Sequence, residues 1–109
     1  MSGTWFPIDL VEAADGYEVS AEIAGVERES IEISVDRNVL TIRVVKSPPV
    51  PEEGQSVHLR ERVYGEFSRS VSLPRDVNTG DVKASYNDGL LTIRVPKVED
   101  SKPKRIAIE

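Results

Sequence analysis

Ala84-Ser85-Tyr86-Asn87-Asp88-Gly89-Leu90-Leu91-Thr92-Ile93-Arg94-Val95-Pro96-Lys97 is the stretch on which the reading of the whole chain turns. Val82, Ala84 and Tyr86 alternate with Lys83 and Ser85, the period of two that marks a half-buried strand. Asn87-Asp88-Gly89 supplies a tight turn, because glycine takes positive φ freely and Asn and Asp tolerate it. Leu90 to Val95 is the return strand, rich in aliphatic and β-branched residues, and Pro96 ends it because proline cannot donate to a ladder. The hairpin has a counterpart upstream. Asn38-Val39-Leu40-Thr41-Ile42-Arg43-Val44 matches Gly89-Leu90-Leu91-Thr92-Ile93-Arg94-Val95 at an offset of 51 residues. Two strands of one type, each after an Asp-containing turn, predict equivalent places in the two layers of a sandwich. A single internal match does not make a repeat protein.

Further strands follow from the same period. Tyr17, Val19, Ala21 and Ile23 alternate with Glu18, Ser20 and Glu22 after the turn Asp15-Gly16, and a short strand is expected at Leu10–Glu12. Ile31, Ile33 and Val35 alternate with Glu32, Ser34 and Asp36, and Asp36-Arg37-Asn38 turns the chain. Val39 to Val45 is more continuously apolar, which predicts a strand covered on both faces. Phe67 to Leu73 reads as a strand ended by Pro74. Trp5 and Phe6 would be out of place on a free tail, so they are expected to fold back on the domain or on a neighbour. No segment carries a helical pattern.

The hairpin also carries a resemblance. Ala84, four residues, Gly89-Leu90-Leu91, four residues and Pro96-Lys97 resemble the signature of the alpha-crystallin domain of small heat shock proteins, of the bacterial and plant type. Pro74, with fourteen residues between it and Gly89, keeps a spacing that this family also shows. The likeness runs from Trp5 to the C-terminus, with Ala24-Gly25-Val26 standing where the family has Pro-Gly-Val. It implies an all-β fold, an immunoglobulin-like β-sandwich of about seven to nine antiparallel strands. The organisation expected is a disordered lead or cloning remnant at 1–4, the domain at 5–97 and a flexible C-terminal tail at 98–109.

Within the domain, residues 46–62 contain Pro48, Pro49, Pro51 and Gly54, the composition of a mobile loop, and long loops tend to be functional. Val57-His58-Leu59-Arg60 reads as a short strand at its far end. In the resembled family such a strand crosses to the partner subunit and completes a dimer, which makes Val57, His58, Leu59, Arg60 and Arg62 the expected dimer residues. An isolated strand agrees with this, since it needs another edge to pair with. After polar residues 99–105 comes Ile106-Ala107-Ile108, whose two isoleucines point the same way when extended. This matches the family's Ile-x-Ile tail motif, which docks in a neighbour's groove between two edge strands. Ile31, Ile33, Val35, Val82 and Ala84 are the expected groove residues, with small Ala84 leaving room for an inserted side chain. Ordinary core is the competing reading of these five.

Composition limits the chemistry. One domain is expected from 109 residues, large enough to bury roughly 65% of its unfolded surface. Zero cysteines exclude disulfides, a thiol nucleophile and soft metal sites, and fit a reducing cytoplasm. A net charge of -5 argues against nucleic-acid binding. Arg60, Arg62, Arg69 and Arg75 are interrupted by Glu61 and Glu66, as on a solvated strand face. His58 is the single histidine, between Val57 and Leu59, a structural rather than catalytic setting. The sequence has no Gly-x-Ser-x-Gly elbow, and Gly54, Gly65, Gly80 and Gly89 are scattered one per turn. Glu52-Glu53 and Glu99-Asp100 read as solvated charge, and no residues converge as metal ligands. There is no membrane-length apolar run, and Met1–Thr4 begins no signal peptide.

The function implied is an ATP-independent holdase of the stress response, without cofactor, that binds partly unfolded clients as a homodimer. Higher oligomers would form through the tail. The alternatives are a co-chaperone adaptor with the same sandwich and a hydrolase with a dispersed carboxylate site. Family members carry a long apolar arm before the position of Trp5, where this sequence has four residues. That departure leads us to expect a truncated form, with modest assemblies and reduced activity.

Overall fold

The computed structural model describes residues 5–99 and 103–109; the expected lead at 1–4, with Asp100, Ser101 and Lys102, lies outside the described residues. Seven strands are formed among the described residues: β1 (Ile8–Glu12), β2 (Gly16–Glu22), β3 (Ile31–Asp36), β4 (Val39–Lys46), β5 (Gly65–Ser72), β6 (Lys83–Asn87) and β7 (Leu90–Pro96). They make two antiparallel sheets, β1-β2-β7-β6 and β3-β4-β5. Among the described residues, helical structure is confined to two 3-10 turns, Arg28–Ser30 and Thr79–Asp81.

The hairpin turns follow from residue type. Arg37 and Asn38 join β3 to β4 with φ of 50° and 64°, and Asp88 and Gly89 join β6 to β7 with φ of 54° and 77°. Two consecutive left-handed residues give the turn whose twist matches that of the strands it connects.

The sandwich closes over Phe6, Tyr17, Val19, Ala21, Ile23, Leu40, Ile42, Val44, Phe67, Leu73, Val77, Leu91, Ile93 and Val95. The internal match explains part of this set. Leu40, Ile42 and Val44 of β4 and Leu91, Ile93 and Val95 of β7 are buried at the same 51-residue offset, on interior strands of opposite sheets. The expectation that β4 is covered on both faces is corrected: Val39 and Val45 remain 37% and 39% exposed. β-branched residues are favoured in strands on either face, so an apolar run alone does not imply a second cover.

The N-terminal segment does fold back. Phe6 is fully buried, and the Trp5 ring lies 5.1 Å from that of Phe67, with the Lys46 ammonium 4.5 Å from the Trp5 ring centre. Arg69 Nη1 donates to the Phe6 carbonyl at 3.0 Å. At the other end of the chain, the Lys97 amide donates to Asp15 O at 2.9 Å and the Val98 amide to Asp76 O at 2.7 Å. Those two bonds fix where the tail leaves the domain.

Candidate functional site

Two of the four sheet edges, β3 and β6, border one open hollow. Ile31 and Ile33 of β3 form one wall, Ala84, Ser85 and Tyr86 of β6 the other, Leu91 of β7 belongs to its floor, and Arg28 stands at one end. The hollow holds about 120 Å³. Period-two geometry builds it. Ile31 and Ile33 pair across to Val44 and Ile42, so their side chains share the core-facing side of β3 without a further strand to cover them. Across the gap Ala84 is exposed and too small to fill the space. Tyr86 is fixed beside it, its hydroxyl donating to the Ile23 carbonyl at 2.6 Å with the Val26 carbonyl at 3.3 Å. Arg28 Nη2 donates to the Tyr86 carbonyl at 3.2 Å and so links the two edges.

Of the five residues expected to form the groove, Ile31, Ile33 and Ala84 line it. Val35 and Val82 do not line it; like Ile31 and Ile33 they are partly buried against the core. Sequence reasoning did not select Arg28, Ser85, Tyr86 and Leu91. The alternation that selected Ala84 carries Tyr86 with it, and that signal was available; Arg28 lies in a loop turn whose position no periodicity reports.

The expected plug, Ile106 and Ile108, is 88% and 99% exposed in the single chain. Val57, His58, Leu59, Arg60 and Arg62 are likewise exposed, and the expected strand at Val57–Arg60 is not formed in the single chain. Pro48, Pro49 and Pro51 precede the segment, and among the described residues it pairs with none of the free edges of its own chain. The loop is nonetheless shaped. Arg60 Nη2 donates to the Pro49 carbonyl at 3.1 Å, and the Arg60 and Arg62 guanidinium carbons each lie 5.6 Å from the Tyr64 ring centre. Lys46, buried at the root of the loop, donates to the Ala24 carbonyl at 3.1 Å. Burial, and then the neighbouring Arg62 charge, push its ammonium below the usual lysine range.

A roomier hollow, about 170 Å³, lies elsewhere and is lined by Asp15, Asp81, Lys83 and Arg94 together with apolar atoms of Tyr17, Val95 and Pro96. Its acids are matched by bases, and Arg94 is engaged with Glu18 at 3.1 Å. Next to it, Lys97 Nζ meets Glu12 Oε2 at 2.7 Å, and the Tyr17 hydroxyl donates to Asp76 Oδ1 at 3.2 Å. The hydrogen bond between them holds the Glu12 carboxyl low and the Lys97 ammonium high, while burial and then Asp76 raise the Tyr17 hydroxyl. This cluster ties β1 to the end of β7, a structural task. No group of three or more potential metal ligands converges among the described residues. Among them, no helix is long and apolar enough to cross a membrane.

Residues 9–109 match the Hsp20/alpha crystallin family. Small heat shock protein C4 of Rickettsia felis is 40% identical over 100 residues, covering 92% of this chain and 61% of that relative. An 18 kDa heat shock protein of Streptomyces albus G is 36% identical over 111 residues, covering 97% of this chain and 78% of the relative. Among solved structures, heat shock protein 16.0 of Schizosaccharomyces pombe superposes with a TM-score of 0.78 at 33% identity, over 100% of this chain and 99% of that one. A small heat-shock protein of Xylella fastidiosa gives 0.77 at 26% identity, over 98% and 99%.

Proposed function

The chain belongs to the Hsp20/alpha crystallin family, and on that premise we propose that it is an ATP-independent holdase chaperone built from dimers. It covers the exposed apolar surface of partly unfolded proteins and prevents their aggregation, in the cytoplasm. Small heat shock proteins are chaperones and not enzymes, and the same holds for this chain. The observation that carries the reading is the groove: an open apolar slot between β3 and β6, two sheet edges with free sides. Extended apolar segments are what such edges bind, since an incoming strand satisfies their free backbone groups while alternate side chains enter the slot.

Two copies join through the loop. Val57, His58, Leu59, Arg60 and Arg62 add as a strand to a free edge of the partner. The sheets leave β1 and β5 as free edges that do not border the groove. We take β1 as the receiving edge, where Asp9 is an acidic partner for Arg60 and Arg62; Glu12 of the same strand is already held by Lys97. Dimers then assemble further as Ile106 and Ile108 of one copy seat in the groove of another. Burying two isoleucines contributes roughly 3–6 kcal/mol gross, and ordering the tail takes back much of it. A contact of that size is reversible and releases the groove to clients.

Alanine at Ile106 and Ile108 together tests this. Sedimentation of the double variant should show the dimer alone, with every larger species lost. An unchanged size distribution overturns the docking reading, and a monomeric mass favours the adaptor.

A further inference from the structure

We propose that Arg28 fixes the direction in which the tail docks, by pairing with Glu109 of a second copy's tail. The inference rests on the docking reading above and concerns what that reading leaves open: an Ile-Ala-Ile plug is the same read from either end.

The groove is not symmetric. Arg28 lines its end at the start of β3, and its bond to the Tyr86 carbonyl places the end of β6 there as well. β3 and β6 thus run in opposite directions along the slot. The far end carries the end of β3, with Asp36 followed by Arg37, and the start of β6, with Lys83 preceded by Asp81. Those four charges balance. The Arg28 end is different, because a cation lines the slot itself. Glu27 and Glu29 flank Arg28 in sequence but do not line the groove, and Arg28 makes no ion pair among the described residues. One donor of its guanidinium is committed to Tyr86; the planar group has five.

The tail is charged in a matching sense. Lys104 and Arg105 precede Ile106, and Glu109 follows Ile108. In an extended tail Ile106 and Ile108 stand roughly 6.6–7 Å apart on one side, the same step as from Ile31 to Ile33. Arg105, Ala107 and Glu109 then lie on the other side, level with the rim. With the tail antiparallel to β3, the Glu109 carboxylate reaches the exposed guanidinium of Arg28. With the tail reversed, Lys104 and Arg105 meet Arg28 instead. Like charges at such a rim reject the wrong alignment more strongly than the right pair rewards its own.

The experiment uses the full chain and three variants, Arg28→Glu, Glu109→Arg and the combination, with Ile106→Ala/Ile108→Ala beside them. Sedimentation across a concentration series reads where the assembly larger than the dimer half-dissociates. Each single reversal should raise that concentration by roughly three- to tenfold, and the combination should return to within about twofold of the parent. The single effects should shrink in 1 M salt. Thermal unfolding of each variant confirms folding, which Arg28 at an exposed turn does not govern. If the isoleucine variant loses assembly while either single reversal leaves it unchanged, or the combination fails to restore it, the directional pairing is wrong and docking stands. If the isoleucine variant assembles like the parent, docking itself fails, and the directional proposal with it.

Discussion

Filling the groove from within should disable it without touching the core. Ala84 is exposed and faces the slot from β6, an edge strand. Ala84→Phe places a ring in a space of about 120 Å³. A dry engineered cavity of roughly 150 Å³ takes a benzene molecule, so the ring occupies most of the room. One of the two docking isoleucines is then excluded. Losing its burial costs about 1.5–3 kcal/mol of binding, which is about ten- to a hundredfold in affinity. Stability should hardly change, because phenylalanine suits a strand and surface substitutions shift stability by about 0.5 kcal/mol or less. Sedimentation against concentration reads the first quantity and thermal unfolding the second. Assembly at the parent's concentration, with unfolding also at the parent's temperature, would refute the assignment of this slot as the tail's receptor. A loss of both together would show that Ala84 is a core position.

Two predictions concern what holds the sandwich. A Cβ on Gly16 would sit 2.7 Å from the Val95 carbonyl oxygen and 2.9 Å from Pro96 Cα, backbone atoms of the neighbouring strand. Gly16→Ala should therefore cost about 1–3 kcal/mol, seen as a fall of roughly 4–8 °C in melting temperature per kcal/mol; an unchanged melting temperature would contradict the close approach. The Glu12–Lys97 pair predicts a pH signature. The Glu12 carboxyl is lowered in the fold, so its contribution is present above the ordinary carboxylate range and lost as pH falls through the lowered value. Lys97 is raised, so its contribution is present below the ordinary lysine value and lost as pH rises through the raised one. Glu12→Gln should melt below the parent near pH 7, with the gap closing on acidification; a gap independent of pH from 7 to 3 would remove the pair from the account.

How much of this was legible in the sequence depends on which interactions are local. Alternation located β2, β3 and β6 to within a residue or two, because in a one-sided sheet burial is written directly into the period. The 51-residue match went further and paired β4 with β7 across the two layers, with three buried positions in register. The run from Val39 to Val45 misled because apolar side chains also suit an exposed strand face. Ile31, Ile33 and Ala84 line the slot as the alternation suggested; Val35, farther along β3, and Val82, just before β6, do not, because the slot spans only part of the edges. Arg28 was out of reach, since its role comes from a turn brought to Tyr86 across 58 residues of chain. The segment Val57–Arg60 shows the opposite limit. Its alternation favours a strand, but a strand exists only with a partner, and among the described residues the segment pairs with no edge of its own chain.

The bonds from Val98 to Asp76 and from Lys97 to Asp15 make the exit of the tail a fixed pivot. Eight residues of advance separate Val98 from Ile106. Fully stretched, that leash spans roughly 26–29 Å. On the proposed docking, that number is a geometric limit on architecture: a groove much farther from the pivot would not be served, and any arrangement of subunits would have to keep one within about that radius. Lengthening or shortening residues 99–105 is then a ruler for the spacing of the lattice of copies, independent of how tightly each contact holds.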